Sequence, residues 1–171
     1  MSSYDEEFEL IIRDIAQNET VQNMKNFRQH YDTSCYDHCM QVSFISYKIC
    51  KKLKLDYKST ARAAMVHDLF LYDWRHKVDG RKGLHAFTHP RTALENAQKL
   101  FELSEKEQDI ILKHMWPLTI KPPKYLESYV VTLVDKYSAL RERHSHYMKT
   151  ILSKKSLRLA YLFFGLCIIK I

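Results

Sequence analysis

The stretch Ala63-Ala64-Met65-Val66-His67-Asp68-Leu69-Phe70 constrains the fold more than any other part of the chain. It sets a histidine and an aspartate side by side at the end of an otherwise apolar helical run. An ionised carboxylate buried in such a run costs several kcal/mol or more unless something pairs with it. A divalent cation would offset that cost and take both side chains as ligands. The dipeptide alone is common, so its meaning rests on whether other ligands lie on neighbouring segments.

Those segments read as helices. With 46% hydrophobic residues but only three glycines and four prolines, the chain favours helices over a turn-rich sandwich, and 171 residues make one domain with a single core. The expectation is an all-α, compact single-domain helical bundle. The opening helix spans Ser3 to Gln17, with Phe8, Leu10, Ile11, Ile12 and Ile15 at helical spacing, and a second short helix covers Thr20 to His30. Ser34 and Asp37 read as a capping box for a helix to about Leu53, with an inward stripe of His38, Val42, Ile45 and Ile49. His38 on that stripe is either a hydrogen-bonded core histidine or a ligand. Ser59 caps a helix from Thr60 through Leu69, whose Ala61 and Ala64 permit close approach to the preceding helix. That packing would bring His38 beside His67 and Asp68.

Residues 72–83 are the most loop-like internal stretch and carry Arg75, Lys77, Arg81 and Lys82. They form either a phosphate grip at the mouth of a metal site or an ordinary solvated loop. Pro90 fits a first helical position, which would put His89 at a helix entrance. Ser104 and Glu107 form a further capping box for a helix from Glu105 to Met115, with His114 on its inner face. A helix from about Glu127 carries Asp135 in the apolar stripe of Val131 and Val134, where a carboxylate demands a partner.

The charge of +7 is unevenly placed. Residues 141–171 hold seven basic side chains against Glu142 alone, a net of +6, which leaves +1 for residues 1–140. That tail is either a solvated helix face or a surface for an anionic partner. No groove-reading motif or interleaved aromatic platform accompanies it, so no specific nucleic-acid partner is expected. Cys35, Cys39, Cys50 and Cys167 lack CxxC or disulfide-framework spacing, and no signal peptide is evident, which suggests a cytoplasmic protein. The apolar run Leu157 to Ile171 is too short for a transmembrane span and reads as a terminal helix.

Taken in order, His38, His67-Asp68, His89, His114 and Asp135 resemble the HD superfamily of metal-dependent phosphohydrolases, whose signature is H…HD…D on an all-helical core. The resemblance covers about residues 30–140. It divides the single domain 1–171 into that HD-like core, N-terminal helices over 1–29 and a basic, apolar helical extension over 141–171. It implies His38, His67, Asp68 and Asp135 around a first divalent metal. His89 and His114 match binuclear members, in which the counterpart of Asp68 bridges a second metal. The sequence departs from the HD-GYP branch. It has His114-Met115 where that branch has two adjacent histidines, and it lacks the glycine-lysine after the HD pair and the GYP element.

Imidazole nitrogens and carboxylate oxygens suit Fe, Mn, Co, Ni or Zn and not an all-oxygen calcium cage. The activity implied is hydrolysis of a phosphate mono- or diester, in a nucleotide or related small molecule, by metal-activated hydroxide. Asp68, Lys136 and His85 are the catalytic candidates. Arg75, Lys77 and His30 are the substrate-binding candidates, and His30 and His85 could also orient ligands or donate a proton. The alternative is a catalytically idle, metal-stabilised nucleotide sensor. A homodimer is the assembly considered.

Overall fold

Small side chains at the centre of the chain set its architecture. The computed structural model describes residues 5–30, 32–75 and 83–153. Among them are seven α-helices: α1 (Glu6–Ala16), α2 (Glu19–Gln22), α3 (Cys35–Lys52), α4 (Tyr57–Met65), α5 (His85–Gln98), α6 (Glu105–Lys113) and α7 (Leu126–Ser153). The only sheet among these residues is an antiparallel ribbon of β1 (Arg28–His30) and β2 (Thr33–Ser34). The fold is therefore all-α. No helix among the described residues is long and apolar enough to cross a membrane.

Helix α3 is the hub, packed against both α4 and α7. Its buried face carries Cys39, Val42, Ser43, Ser46 and Cys50, opposite Ala61, Ala63 and Ala64 of α4. Short side chains let the two backbones approach, and Ser43 Oγ donates to Ala61 O at 2.6 Å across the seam. The expected stripe is rotated accordingly. His38 and Val42 are buried as the spacing implied, whereas Ile45 is half-buried and Ile49 is 36% exposed. Polar but compact residues win the interior because the seam is too narrow for isoleucine.

Several boundaries move for identifiable reasons. Asp56, not Ser59, caps α4 by accepting from Ser59 N at 3.1 Å. The helix ends at Met65, so His67 and Asp68 stand on a turn just beyond it. The helix expected over Thr20–His30 is one turn capped by Asn18, a 3-10 turn over Asn23–Asn26, and then β1. Only Val21 and Met24 are buried in that turn, too little apolar face to carry a longer helix. Helix α5 starts at His85, so Pro90 lies inside it and His89 stands in its second turn, not at its entrance. The Ser104–Glu107 capping box is complete. Helix α7 runs 28 residues without a break at position 140.

Helix α1 closes the far side of the bundle. Asp5 caps it, and Phe8 packs edge-on against Phe44 at 5.1 Å and tilted against Tyr47 at 5.3 Å. Arg62 of α4 donates to both carboxylate oxygens of Asp14, at 2.7 and 2.8 Å. Phe8 is fully buried, so Phe8→Ala leaves a cavity beneath α1. Urea unfolding of this variant should show a loss of about 3–5 kcal/mol; a loss below about 1 kcal/mol would show that α1 is not part of the cooperative core.

Candidate metal centre

Five separate segments deliver one side chain or pair each to a single buried point. His38 comes from the first turn of α3, and His67 and Asp68 from the turn after α4. His89 comes from the second turn of α5, His114 from the C-cap of α6, and Asp135 from the third turn of α7. All six are buried, Asp135 being the most exposed at 8%. The helix ends explain much of this convergence, because chain termini of α4 and α6 can turn their side chains inward without breaking a ladder.

Each imidazole is held through its Nδ1. His67 donates to Ala64 O at 2.7 Å, His89 to His85 O at 2.8 Å and His114 to Ile111 O at 2.8 Å. His38 uses Nδ1 to reach Glu142 Oε1 at 3.0 Å. Those bonds anchor the Nδ1 side of all four rings and leave each Nε2 facing the centre. His89 Nε2 and His114 Nε2 stand 2.8 Å apart. With both Nδ1 atoms already protonated, two lone pairs confront each other at that distance unless a cation, proton or metal, satisfies them.

The carboxylates complete the arrangement. Asp68 Oδ1 lies 3.2 Å from His89 Nε2 and 3.5 Å from His114 Nε2, and Asp68 Oδ2 lies 3.4 Å from His67 Nε2. Asp135 Oδ1 lies 3.0 Å from His38 Nε2 and 3.7 Å from His67 Nε2. His67 Nε2 and Asp68 Oδ1 are buried with no hydrogen-bond partner. Unsatisfied polar atoms of this kind are costly in an interior. A divalent metal fits them. Two overlapping sets are within ligating reach of one another: His38, His67 and Asp68 on one side, and Asp68, His89 and His114 on the other. His67, His114 and Asp135 form a third such set, and Asp68 belongs to both of the first two.

Electrostatics favour ionised acids. Burial alone would raise Asp68, but His67, His89 and His114 hold it well below the usual carboxylate range. Burial likewise opposes ionisation of Asp135, which His38 and His67 more than offset. Burial pulls His38 down, yet Asp135 and Glu142 leave it well above its ordinary value. Burial dominates at His114 and lowers it to about 3, so that ring is a neutral donor at pH 7. Beneath the cluster, Cys35 and Cys39 are pushed up by burial and stay thiols; Cys35 Sγ donates to Asp68 O at 3.1 Å.

The remaining candidates are not all in the same place. Lys136 and His85 line a cavity of about 360 Å³ together with Asp68, His89, His114 and Asp135. Lys136 is half-buried and donates to His114 O at 3.1 Å, and burial lowers its pKa. His85 stacks on His89 with centroids 4.5 Å apart, and its Nδ1 meets the Tyr72 hydroxyl at 3.0 Å. Arg75 is exposed, paired with Asp73, and lines a neighbouring recess instead of this cavity. Lys77 lies outside the described residues, as does the side chain of His30. Two residues escaped the sequence reading. Gln29 donates to Asp68 Oδ2, and no sequence signal marked it. Glu142 did carry one: it follows Asp135 by seven residues, two turns along the same helical face.

A family model for the HD domain matches residues 35–140. No curated protein and no solved structure matches the chain.

Glu142 should act through His38. Glu142→Ala removes the acceptor that fixes the ring, and affinity for Mn(II) should fall about 10–100-fold while the circular dichroism spectrum is retained; unchanged affinity would exclude the role. Because His38 and His67 sit above their ordinary pKa, with burial overcome by the neighbouring acids, metal must displace protons from them. Calorimetry in buffers of different ionisation enthalpy should show net proton release on metal binding, and affinity falling as pH drops. Proton-neutral binding would contradict this.

Proposed function

The chain belongs to the HD domain family, and from that premise and its buried ligand ring we propose that it is a metal-dependent phosphohydrolase acting on a phosphate mono- or diester of a nucleotide or related small molecule. The observation that carries the reading is the convergence of four imidazole Nε2 atoms and two carboxylates on one point, with His67 Nε2 and Asp68 Oδ1 left unsatisfied. His38, His67, Asp68 and Asp135 would hold one cation. His89 and His114 would hold a second, with Asp68 shared between them. The donor set suits Fe, Mn, Co, Ni or Zn. A cation of that kind supplies a strong electrostatic field and lowers the pKa of bound water from about 15.7 toward 7.

The chain's own residues then have separable tasks. Lys136, tethered at the cavity edge by His114 O and Thr132 O, sets a positive charge beside the phosphate oxygens, where charge redistributes during displacement. His85 is fixed between Trp74, at 5.4 Å and 13° interplanar angle, and His89. From that position it can hand a proton to the leaving oxygen. Gln29 orients Asp68 by donating to Oδ2. Burial of the ring excludes bulk water and strengthens each of these interactions.

The purified chain loaded with Mn, Fe, Co or Ni should release phosphate or nucleoside from members of a panel of phosphomonoesters and diesters, and Asp68→Ala should reduce that release to background. Full activity in Asp68→Ala would sink the proposal. Nucleotide binding without turnover across the panel would instead favour the idle sensor.

A further inference from the structure

A second recess, of about 520 Å³, adjoins the metal-centre cavity, and the two share Gln29, Trp74 and Ala139 as walls. Arg28, Arg75 and Arg143 line it. Arg75 is held by Asp73 at 2.6 Å, and Asp32, the one acid among the described lining residues, faces His146 at 3.3 Å. Arg28 and Arg143 have no carboxylate partner among the described residues. Arg28 and Arg143 are exposed at the rim of this recess, and the planar fork of a guanidinium matches phosphate oxygens.

Two elements, α7 and β1, contribute to both the recess and the metal centre. On α7, Asp135, Ala139 and Arg143 recur at steps of four, which keeps them on one face. At 1.5 Å per residue, the Cα atoms of Asp135 and Arg143 are about 12 Å apart along the axis. Ala139 between them contributes a single methyl to the shared wall. On β1, Gln29 bonds Asp68 while the adjacent Arg28 lines the recess. Trp74 is a further shared wall, tied to the strand by its Nε1, which donates to Arg28 O at 3.2 Å.

We infer that the ligand of this site carries two anionic groups: one phosphate at the metal centre, and a second phosphate gripped by Arg28 and Arg143, with a ring-sized spacer lying along Trp74 and Ala139. The chemical class is a doubly phosphorylated nucleoside or a small molecule of similar span. The inference rests on the phosphohydrolase reading for the first phosphate and adds the second.

Titration calorimetry of the Mn(II)-loaded full chain with adenosine 5′-monophosphate and adenosine 3′,5′-bisphosphate tests it. The bisphosphate should bind at least about tenfold more tightly, and in the Arg28→Gln/Arg143→Gln double variant that ratio should fall toward one. Equal affinities in the unaltered chain, a preference that survives in the double variant, or no binding of the bisphosphate would each overturn the inference. Phosphate release measured in parallel separates the two claims. An arginine-dependent preference with no turnover across the ester panel sinks the hydrolase reading alone; turnover without the preference sinks the recess alone.

Discussion

The ionised carboxylate of Asp68, 2% exposed, is the constraint around which the rest of the molecule is arranged. Its charge cannot be left in an apolar interior, and three imidazoles and the Gln29 amide are drawn against it from four segments. Those contacts fix where α4 must end, how far α5 must extend before His89, and which residue of α6 becomes its C-cap. Stability and function thus compete for the same groups. A protein optimised for stability alone would replace such a buried ionic cluster with hydrocarbon.

Backbone carbonyls do much of the orienting. Ala64, His85 and Ile111 each lend a carbonyl oxygen to an imidazole, so the tautomer of three rings is set by helix geometry. His38 is the exception, and its partner is the Glu142 carboxylate. That bond lengthens the reach of α7 in the site: one helix supplies a ligand candidate, the residue that orients another, and, one residue further on, Arg143 at the neighbouring recess. Of the basic side chains on this segment, Arg143 is exposed and lines the recess beside the site.

The HD domain match over residues 35–140 and the clustered donors converge from independent directions. The family match is a statement about sequence pattern, whereas the anchored imidazoles and the unsatisfied buried polar atoms are statements about local chemistry. Gln29, outside the matched span, nevertheless lines both cavities, and Arg28 lines the recess. What distinguishes this chain from a bare metal-binding helical core lies at those edges, in Gln29, Trp74, Glu142 and the arginines.

The helical class and the inward placement of His38, Asp135 and the His67-Asp68 pair were legible in the sequence, because apolar periodicity and a charge at a core position depend only on local spacing. So was the Ser104 capping box, whose partners are three residues apart. Other features were decided only by tertiary packing. The seam between α3 and α4 selected serines and cysteines over Ile45 and Ile49, the ribbon replaced an expected helix and carried Gln29 to Asp68, and α5 began a full turn before Pro90. The physical reason is range. Periodicity and caps are written within a few residues, whereas seam width, strand pairing and the hydrogen bond from His38 to Glu142, 104 residues away, exist only once distant segments share the same space.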